Sequence, residues 1–404
     1  MSTPPFPAPS SDGGETLMQS DGEIARVAAA VAAAAEVCLD LEADSLHHYR
    51  EKTCLLQVGV SDGRGISLRE FLVDPLAGGD LAPLFRALTG KTLVMHGADY
   101  DLRRMAQDFA FRPTAIFDTM HAARLAAHSA MGFDALAKRY AGVELDHGAQ
   151  KADWSQRPLP PRLVRYAIGD VRWLPIVARE LRTELAALER AEWHRQQCAQ
   201  LIRLSEQAPA KKDDPWRIRG SPRLGARALA VLRELWHWRE KEAEGWDRPV
   251  FMVLLNDRML ELAAWAAEHP RGDLAKGPPL PRRWPPRRWK SLRTALERAW
   301  GIPPRDFPAP YIHPSRPPFD PHFVPRLERL KAARREIAEK LKMDASLLAP
   351  NAMVEDVCRA APQSPEDFEK VERWLPWQTE VLGPAFLRAC APGHPLPPSR
   401  DSRR

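Results

Sequence analysis

The sequence predicts an α/β domain, a mixed sheet with helices packed on it, followed by two small all-α domains. Three observations carry this. Apolar and alternating runs of strand length, interleaved with helical spacings, fill the stretch from Glu36 to Phe109. Helical spacing alone continues from Thr119 to about Gln200. Two breaks, a charged one at 208–214 and a proline-dense one at 301–325, then part the remaining helices into two groups.

In order along the chain, residues 1–20 are rich in Pro, Ser and Gly and lack an apolar signal core, so they are read as a disordered N-terminus. Asp21 to Ala35 reads as a helix. In Glu36–Glu42, Val37, Leu39 and Leu41 alternate with Asp40 and Glu42, the period-two pattern of a strand. Thr53–Val60 is apolar on both faces apart from Gln57, as a central strand would be. Gly65–Asp74 is a third strand, joined to the second through Ser61-Asp-Gly63. Leu81–Leu88 reads as a helix and Thr92–His96 as a short strand. Leu102, Met105 and Phe109 then recur at helical spacing. These readings give an α/β domain over 21–207, a first helical domain over 208–302, a semi-rigid spacer over 303–325, a second helical domain over 326–390 and a disordered tail over 391–404.

Lys plus Arg number 59 against 53 Asp plus Glu, a net charge of +6, a mild bias towards a polyanionic partner. The five cysteines are scattered with no C-x-x-C pair, which disfavours a zinc knuckle or a disulfide framework and fits a reducing compartment. The Ala-rich run Val27–Ala35 is too short to cross a bilayer. A cytoplasmic protein without a membrane partner is expected, with a monomer favoured.

The main chemical signal is a set of acids on different elements. Asp40 and Glu42, two apart on a strand, share a face. Asp101 lies near a helix start, five residues after His96. Tyr166 and Asp170, four apart on a helix, are neighbours on one side of it. Either pair alone is an ordinary solvated edge. Together, in the segments Leu39–Val58, Val94–Leu102, Asp153–Leu159 and Tyr166–Asp170, they resemble the three exonuclease motifs of the ribonuclease D family, in that family's order, from about Ala28 to Glu180. All five active-site positions of the tyrosine subclass of DEDD exonucleases are filled.

The resemblance implies a ribonuclease H-like sheet and 3′→5′ hydrolysis of RNA releasing nucleoside 5′-monophosphates, with two divalent ions, Mg²⁺ or Mn²⁺, as cofactors. Such ions prefer oxygen ligands, and a pair of them can stabilise both the attacking and the leaving oxygen. By the same resemblance Asp40, Glu42 and Asp170 hold one ion, Asp40 and Asp101 share the second, and Tyr166 orients the water. The family's usual substrates make transfer RNA precursors and other small structured RNAs the expected partners.

Asp99 reads as the N-cap of the helix bearing Asp101, and Asp118 as the cap of the next. Asp44 reads as exposed, and Gln57 as satisfied by backbone or core polar groups. His96 is expected to order the second motif rather than bind metal, since imidazole suits Mg²⁺ poorly. Leu46 either wedges between terminal bases, as an apolar residue does here in related exonucleases, or only packs. Trp154 and Arg157 either shape the substrate groove or form a turn packed on the sheet.

The stretches Leu232–Ala243 and Arg248–Leu260 resemble the first half of an HRDC domain, and Ile337–Pro350 resembles a second, more divergent one. Arg282, Arg283, Arg287, Arg288 and Lys290, interleaved with Trp284 and Trp289, form the densest basic–aromatic patch. It reads either as a grip on phosphates and bases or as tryptophans packed between helices with solvated arginines. The competing functional readings are a DNA exonuclease of the same chemistry and a non-catalytic RNA-binding scaffold. The filled active-site positions argue against the scaffold.

Overall fold

A computed structural model describes residues 17–62, 67–146, 148–206, 214–311 and 320–391. The expected disorder of residues 1–16 and 392–404, all but the last residue of the 208–214 break and the middle of the proline-dense spacer lie outside the described residues. The chain forms two compact units, one of Met1–Glu42, Thr53–Gln207 and Pro318–Arg404, the other of Ala43–Lys52 and Ala208–Pro317.

The elements begin with β1 (Leu17–Met18), α1 (Asp21–Ala33), β2 (Glu36–Ala43), β3 (Thr53–Ser61) and β4 (Ser67–Val73). Then come α2 (Ala82–Leu88), β5 (Thr92–Met95), α3 (Asp99–Phe109), β6 (Ala115–Asp118), α4 (Thr119–Leu125), α5 (Phe133–Ala141), α6 (Pro161–Arg172), α7 (Leu174–Ala187) and α8 (Ala191–Glu206). The other unit holds α9 (Ala226–Trp246), α10 (Val250–Val253), α11 (Asn256–Glu268) and α12 (Pro286–Gly301). Finally α13 (Phe323–Leu341), α14 (Ala345–Leu348), α15 (Asn351–Ala360) and α16 (Pro376–Cys390) return to the first.

The first unit is built on a six-stranded mixed sheet of order β1-β4-β3-β2-β5-β6. β3 and β4 form the expected antiparallel pair, while β2, β5 and β6 run parallel. Two of the strands were not foreseen. Leu17–Met18, inside the stretch expected to be disordered, pairs with β4, and Ser20 caps α1 in a capping box with Glu23. Ala115–Asp118, only four residues long, is too short to register as an alternation but pairs with β5 along its length.

The alternation in β2 sorts its side chains as expected. Val37, Leu39 and Leu41 enter a core with Val58 and Val60 of β3 and Ile24, Val27, Leu84 and Leu88 of α1 and α2. On the other face Leu55 and Leu72 pack against Leu163, Val164 and Ala167 of α6. Gly59 lets α6 settle closely there. A Cβ at this position would stand 3.3 Å from both the Cys38 Cβ and the Val171 carbonyl oxygen, so one of them would have to give way by a few tenths of an ångström.

Residues 326–390 were expected to be a separate domain, yet α13–α16 are continuous with the α/β domain. Leu330, Val354, Trp377 and Phe386 share one core with Ala122, Leu125, Val177 and Leu181. Trp193 of α8 stacks on Trp377 with ring centroids 4.6 Å apart, and the Trp377 backbone N–H donates to Gln196 Oε1 at 3.0 Å.

In the second unit α9, α11 and α12 bury Leu229, Leu235, Trp238, Met259, Leu262, Leu292 and Leu296. The segment Ala43–Lys52 joins them: the Tyr49 hydroxyl donates to Glu240 Oε2 at 3.1 Å, and Arg50 pairs with Glu244 at 2.7 Å. Asp44, expected to be exposed, is fully buried. It accepts the Lys52 backbone N–H at 2.9 Å and pairs with the Lys52 ammonium.

Candidate metal centre

Three elements converge on the acids. β2 presents Asp40 and Glu42 on the face opposite Val37, Leu39 and Leu41. α6 buries Leu163, Val164, Ala167 and Val171, which turns Tyr166 and Asp170 to its flank. One carboxylate oxygen each from Asp40, Glu42 and Asp170 lies within 4.8 Å of the other two. The third element, α3, carries Asp101, which is buried and lies outside that triplet but close enough for its charge to act on Glu42.

The start of α3 is fixed from a distance. Asp99 is not the cap expected, since Ala98 occupies that position and Asp99 pairs with Arg103 at 2.6 Å. Asp118 does the work from the end of β6. Its carboxylate accepts the Gly97 and Ala98 N–H groups at 3.2 and 2.8 Å, and those of Met120 and His121 at 2.9 and 3.0 Å. One buried side chain thus caps α4 as expected and also holds the turn leading into α3. Farther along, Asp108 accepts the Thr53 N–H at 2.9 Å and its hydroxyl at 2.7 Å, tying α3 to the start of β3.

Gathering acids in a half-buried cleft opposes their ionisation. Burial lifts the Asp40 carboxyl to about 7, although the Leu41 N–H partly counters it. Burial together with the charges of Asp40, Asp170 and Asp101 lifts Glu42 to about 10. Burial and Asp40 lift Asp170 to about 9, and Asp101 is raised well above the ordinary carboxyl range, again by burial first. The Tyr166 phenol is also pushed up, by burial and by the charges of Asp170, Glu42 and Asp40, so it keeps its proton. Such a set fits hard divalent cations. All donors are carboxylate oxygens, and the strongest charges acting on Glu42 are its own neighbours, so added positive charge relieves the strain.

A model of 3′-5′ exonuclease domains matches residues 17–186, and an HRDC domain model matches 228–269 and 325–390. Ribonuclease D of Xanthomonas oryzae pv. oryzae is 30% identical over 272 residues, which are 65% of this chain and 72% of that protein. The chain belongs to the ribonuclease D family. Ribonuclease D of Pseudomonas paraeruginosa is 29% identical over 361 residues, 87% of this chain and 91% of that protein. The solved structure of Escherichia coli ribonuclease D superimposes with a TM-score of 0.67, covering 93% of this chain and 98% of that one at 24% identity, which shows a shared fold. As a member of the ribonuclease D family the chain is a metal-dependent phosphodiester hydrolase of the 3′-5′ exonuclease type.

Most of the substrate contacts read from the sequence turn out to be scaffolding of this ribonuclease D fold. Trp154 is fully buried, its ring 5.9 Å from that of Tyr166, so it backs the phenol and does not face substrate. Arg157 is committed to a bidentate pair with Asp74, at 2.6 and 2.7 Å, and to the Cys54 and Trp154 carbonyls. His96 is half-buried, and its Nδ1 lies 2.9 Å from the Thr119 hydroxyl; burial lowers its pKa, so it orders the second motif as a neutral ring. Leu46 exposes its side chain and belongs to none of the cores. In the basic patch Trp284 and Arg288 are buried, Trp289 half-buried. Trp284 stands edge-on to Trp238 and Trp289, while Arg288 pairs with Glu242 and lies over Trp246. Arg282, Arg283, Arg287 and Lys290 remain exposed.

The cleft that sequence reading missed lies beside the acids. It holds about 250 Å³ and is lined by Tyr166, Gly169, Asp170 and the arginines 162, 165 and 172. Arg162 and Arg172 are paired with Asp146 and Glu70, while Arg165 is exposed. Helical spacing from Tyr166 was the available signal, since 162 and 169 share its side of the helix.

Proposed function

We propose that the chain trims RNA from the 3′ end, releasing nucleoside 5′-monophosphates, and that its substrates are transfer RNA precursors and other small structured RNAs. The observation that carries the reading is the convergence of Asp40, Glu42 and Asp170 beside a protonated Tyr166. Asp40, Glu42 and Asp170, with Asp101 shared towards Asp40, would hold two Mg²⁺ or Mn²⁺ ions. When bound, such ions supply an activated water and neutralise charge on the leaving oxygen.

The remaining work falls to side chains. Tyr166 Oη, retaining its proton, donates to an oxygen of the reacting group and fixes its direction. Arg165 offers a guanidinium to a strand phosphate in the adjacent cleft. Arg282, Arg283, Arg287 and Lys290 form a cationic face for RNA backbone. The Escherichia coli relative is described as an exoribonuclease involved in structured RNA processing, which supports RNA over DNA as substrate.

The test uses matched, uniformly labelled RNA and DNA strands and a transfer RNA precursor, each with Mg²⁺, Mn²⁺ or EDTA. Metal-dependent release of mononucleotides from RNA is expected. Equal trimming of DNA would transfer the activity to the DNA exonuclease reading, and no cleavage under any condition would leave only a binding role.

A further inference from the structure

Gln57 is the polar exception in the middle of β3, and the structure does not satisfy it in the way the sequence suggested. Its side chain is fully buried, yet neither Nε2 nor Oε1 has a hydrogen-bond partner among the described residues. A buried primary amide with both ends unpaired opposes folding, and an apolar residue of similar volume would remove that cost. Such a group is retained where something outside the folded chain completes it.

Its direction is fixed by its neighbours. Gln57 is in register with Leu72 of β4, and Leu72 lies in the core beneath α6 with Leu55 and Ala167. Two residues on, the Cβ direction of Gly59 meets Cys38 and Val171, again beneath α6. β2 and β3 are neighbours in the sheet and are joined by only the nine residues 44–52, too few for a crossover, so they run in opposite directions. The register that sets Gly59 against Cys38 therefore sets Gln57 against Asp40. Gln57 thus lies on the same sheet face as Asp40 and Glu42, under the helix that brings Asp170.

We propose that Gln57 is a positioning residue of the metal centre, its amide taking its hydrogen bonds only when a divalent cation is held by the carboxylates beside it. With the cation held, Nε2 would donate to a carboxylate oxygen of the centre and Oε1 would accept from a water there. The residue type suits the place. A glutamate would add a further negative charge to a buried acidic set, and a leucine would offer nothing to the ligands. This inference rests on reading Asp40, Glu42 and Asp170 as cation ligands.

The experiment compares full-length wild type with Gln57→Leu, Gln57→Met and Asp40→Asn, measuring Mn²⁺ affinity by calorimetry and the melting temperature of each metal-free protein. The Leu and Met variants are expected to melt at or above wild type without metal, yet to bind Mn²⁺ about 10- to 100-fold more weakly. Wild-type Mn²⁺ affinity in both would overturn the proposal. A lowered metal-free melting temperature in both would overturn it too, by showing that the amide is already satisfied. Asp40→Asn separates this failure from that of the underlying reading, because undiminished Mn²⁺ binding in that variant would mean that the carboxylates are not the ligands at all.

Discussion

Asp40, Glu42 and Asp170 illustrate how a site built for cations weighs on a protein without them. Their carboxyls are raised in the folded state, so the stability linked to them is complete below their unfolded values of about 4 and is lost as pH rises through the folded ones. Those lie at about 7 for Asp40, about 9 for Asp170 and about 10 for Glu42. The metal-free melting temperature should therefore fall between pH 5 and 9, and Mg²⁺ or Mn²⁺ should cancel most of the fall while releasing protons. A flat metal-free profile in calorimetric scans would contradict the electrostatics described. Glu42→Gln should melt above wild type at pH 8 without metal, and it should lose cleavage. Tyr166→Phe keeps the ring against Trp154 and removes only the donor, so kcat should drop on the order of 10²-fold with Mn²⁺ affinity unchanged. Retained cleavage would make the phenol dispensable.

Among the elements, α3 depends most on a partner distant in sequence. Asp118 holds its first turn and caps α4 with the same carboxylate, so Asp118→Ala leaves four N–H groups without that acceptor. A loss of about 2 kcal/mol in denaturant unfolding is expected, together with a fall in activity exceeding the fraction unfolded, because Asp101 rides on α3. Unfolding unchanged from wild type would show that water replaces the cap without cost. This element also marks where sequence reading succeeds and fails. The cap of α4 was legible because Asp118 lies immediately before its helix. Asp99 was misassigned because a local rule sees the nearest acid, whereas the acceptor for Gly97 and Ala98 arrives from another strand. Likewise β2 was legible from its alternation, while β6, with four residues, is a strand only because β5 lies beside it.

At the scale of the molecule the consequence concerns α13–α16. Reading residues 326–390 as a separate module predicts that removing everything after about 207 spares the chemistry. The shared core around Trp193, Trp377 and Phe386 predicts instead that a chain ending at 311 exposes apolar surface of α7 and α8 and melts several degrees lower. An unchanged melting temperature for the shortened chain would show that the two parts fold independently. Substitution in α12 is the cleaner probe of RNA grip. Arg282, Arg283 and Arg287 changed together to Glu should weaken RNA binding and flatten its salt dependence, with a slope lower by roughly 0.7 per lost phosphate contact on single strands. Melting should stay unchanged, since these side chains are exposed. An unaltered salt slope would remove this face from the binding surface.

By itself the sequence determined the order of the elements from α1 to α3, the pairing of acids within β2 and within α6, and the family those motifs belong to. Both pairings follow from backbone periods of two and of about four residues, which act locally and leave a readable pattern. Only the tertiary structure decided which exposed-looking groups are committed elsewhere, as with Arg157 to Asp74 and Arg288 to Glu242, and that the Gln57 amide has no hydrogen-bond partner among the described residues. These outcomes depend on groups brought together from distant parts of the chain, and whether a polar atom is satisfied is settled by what packs against it.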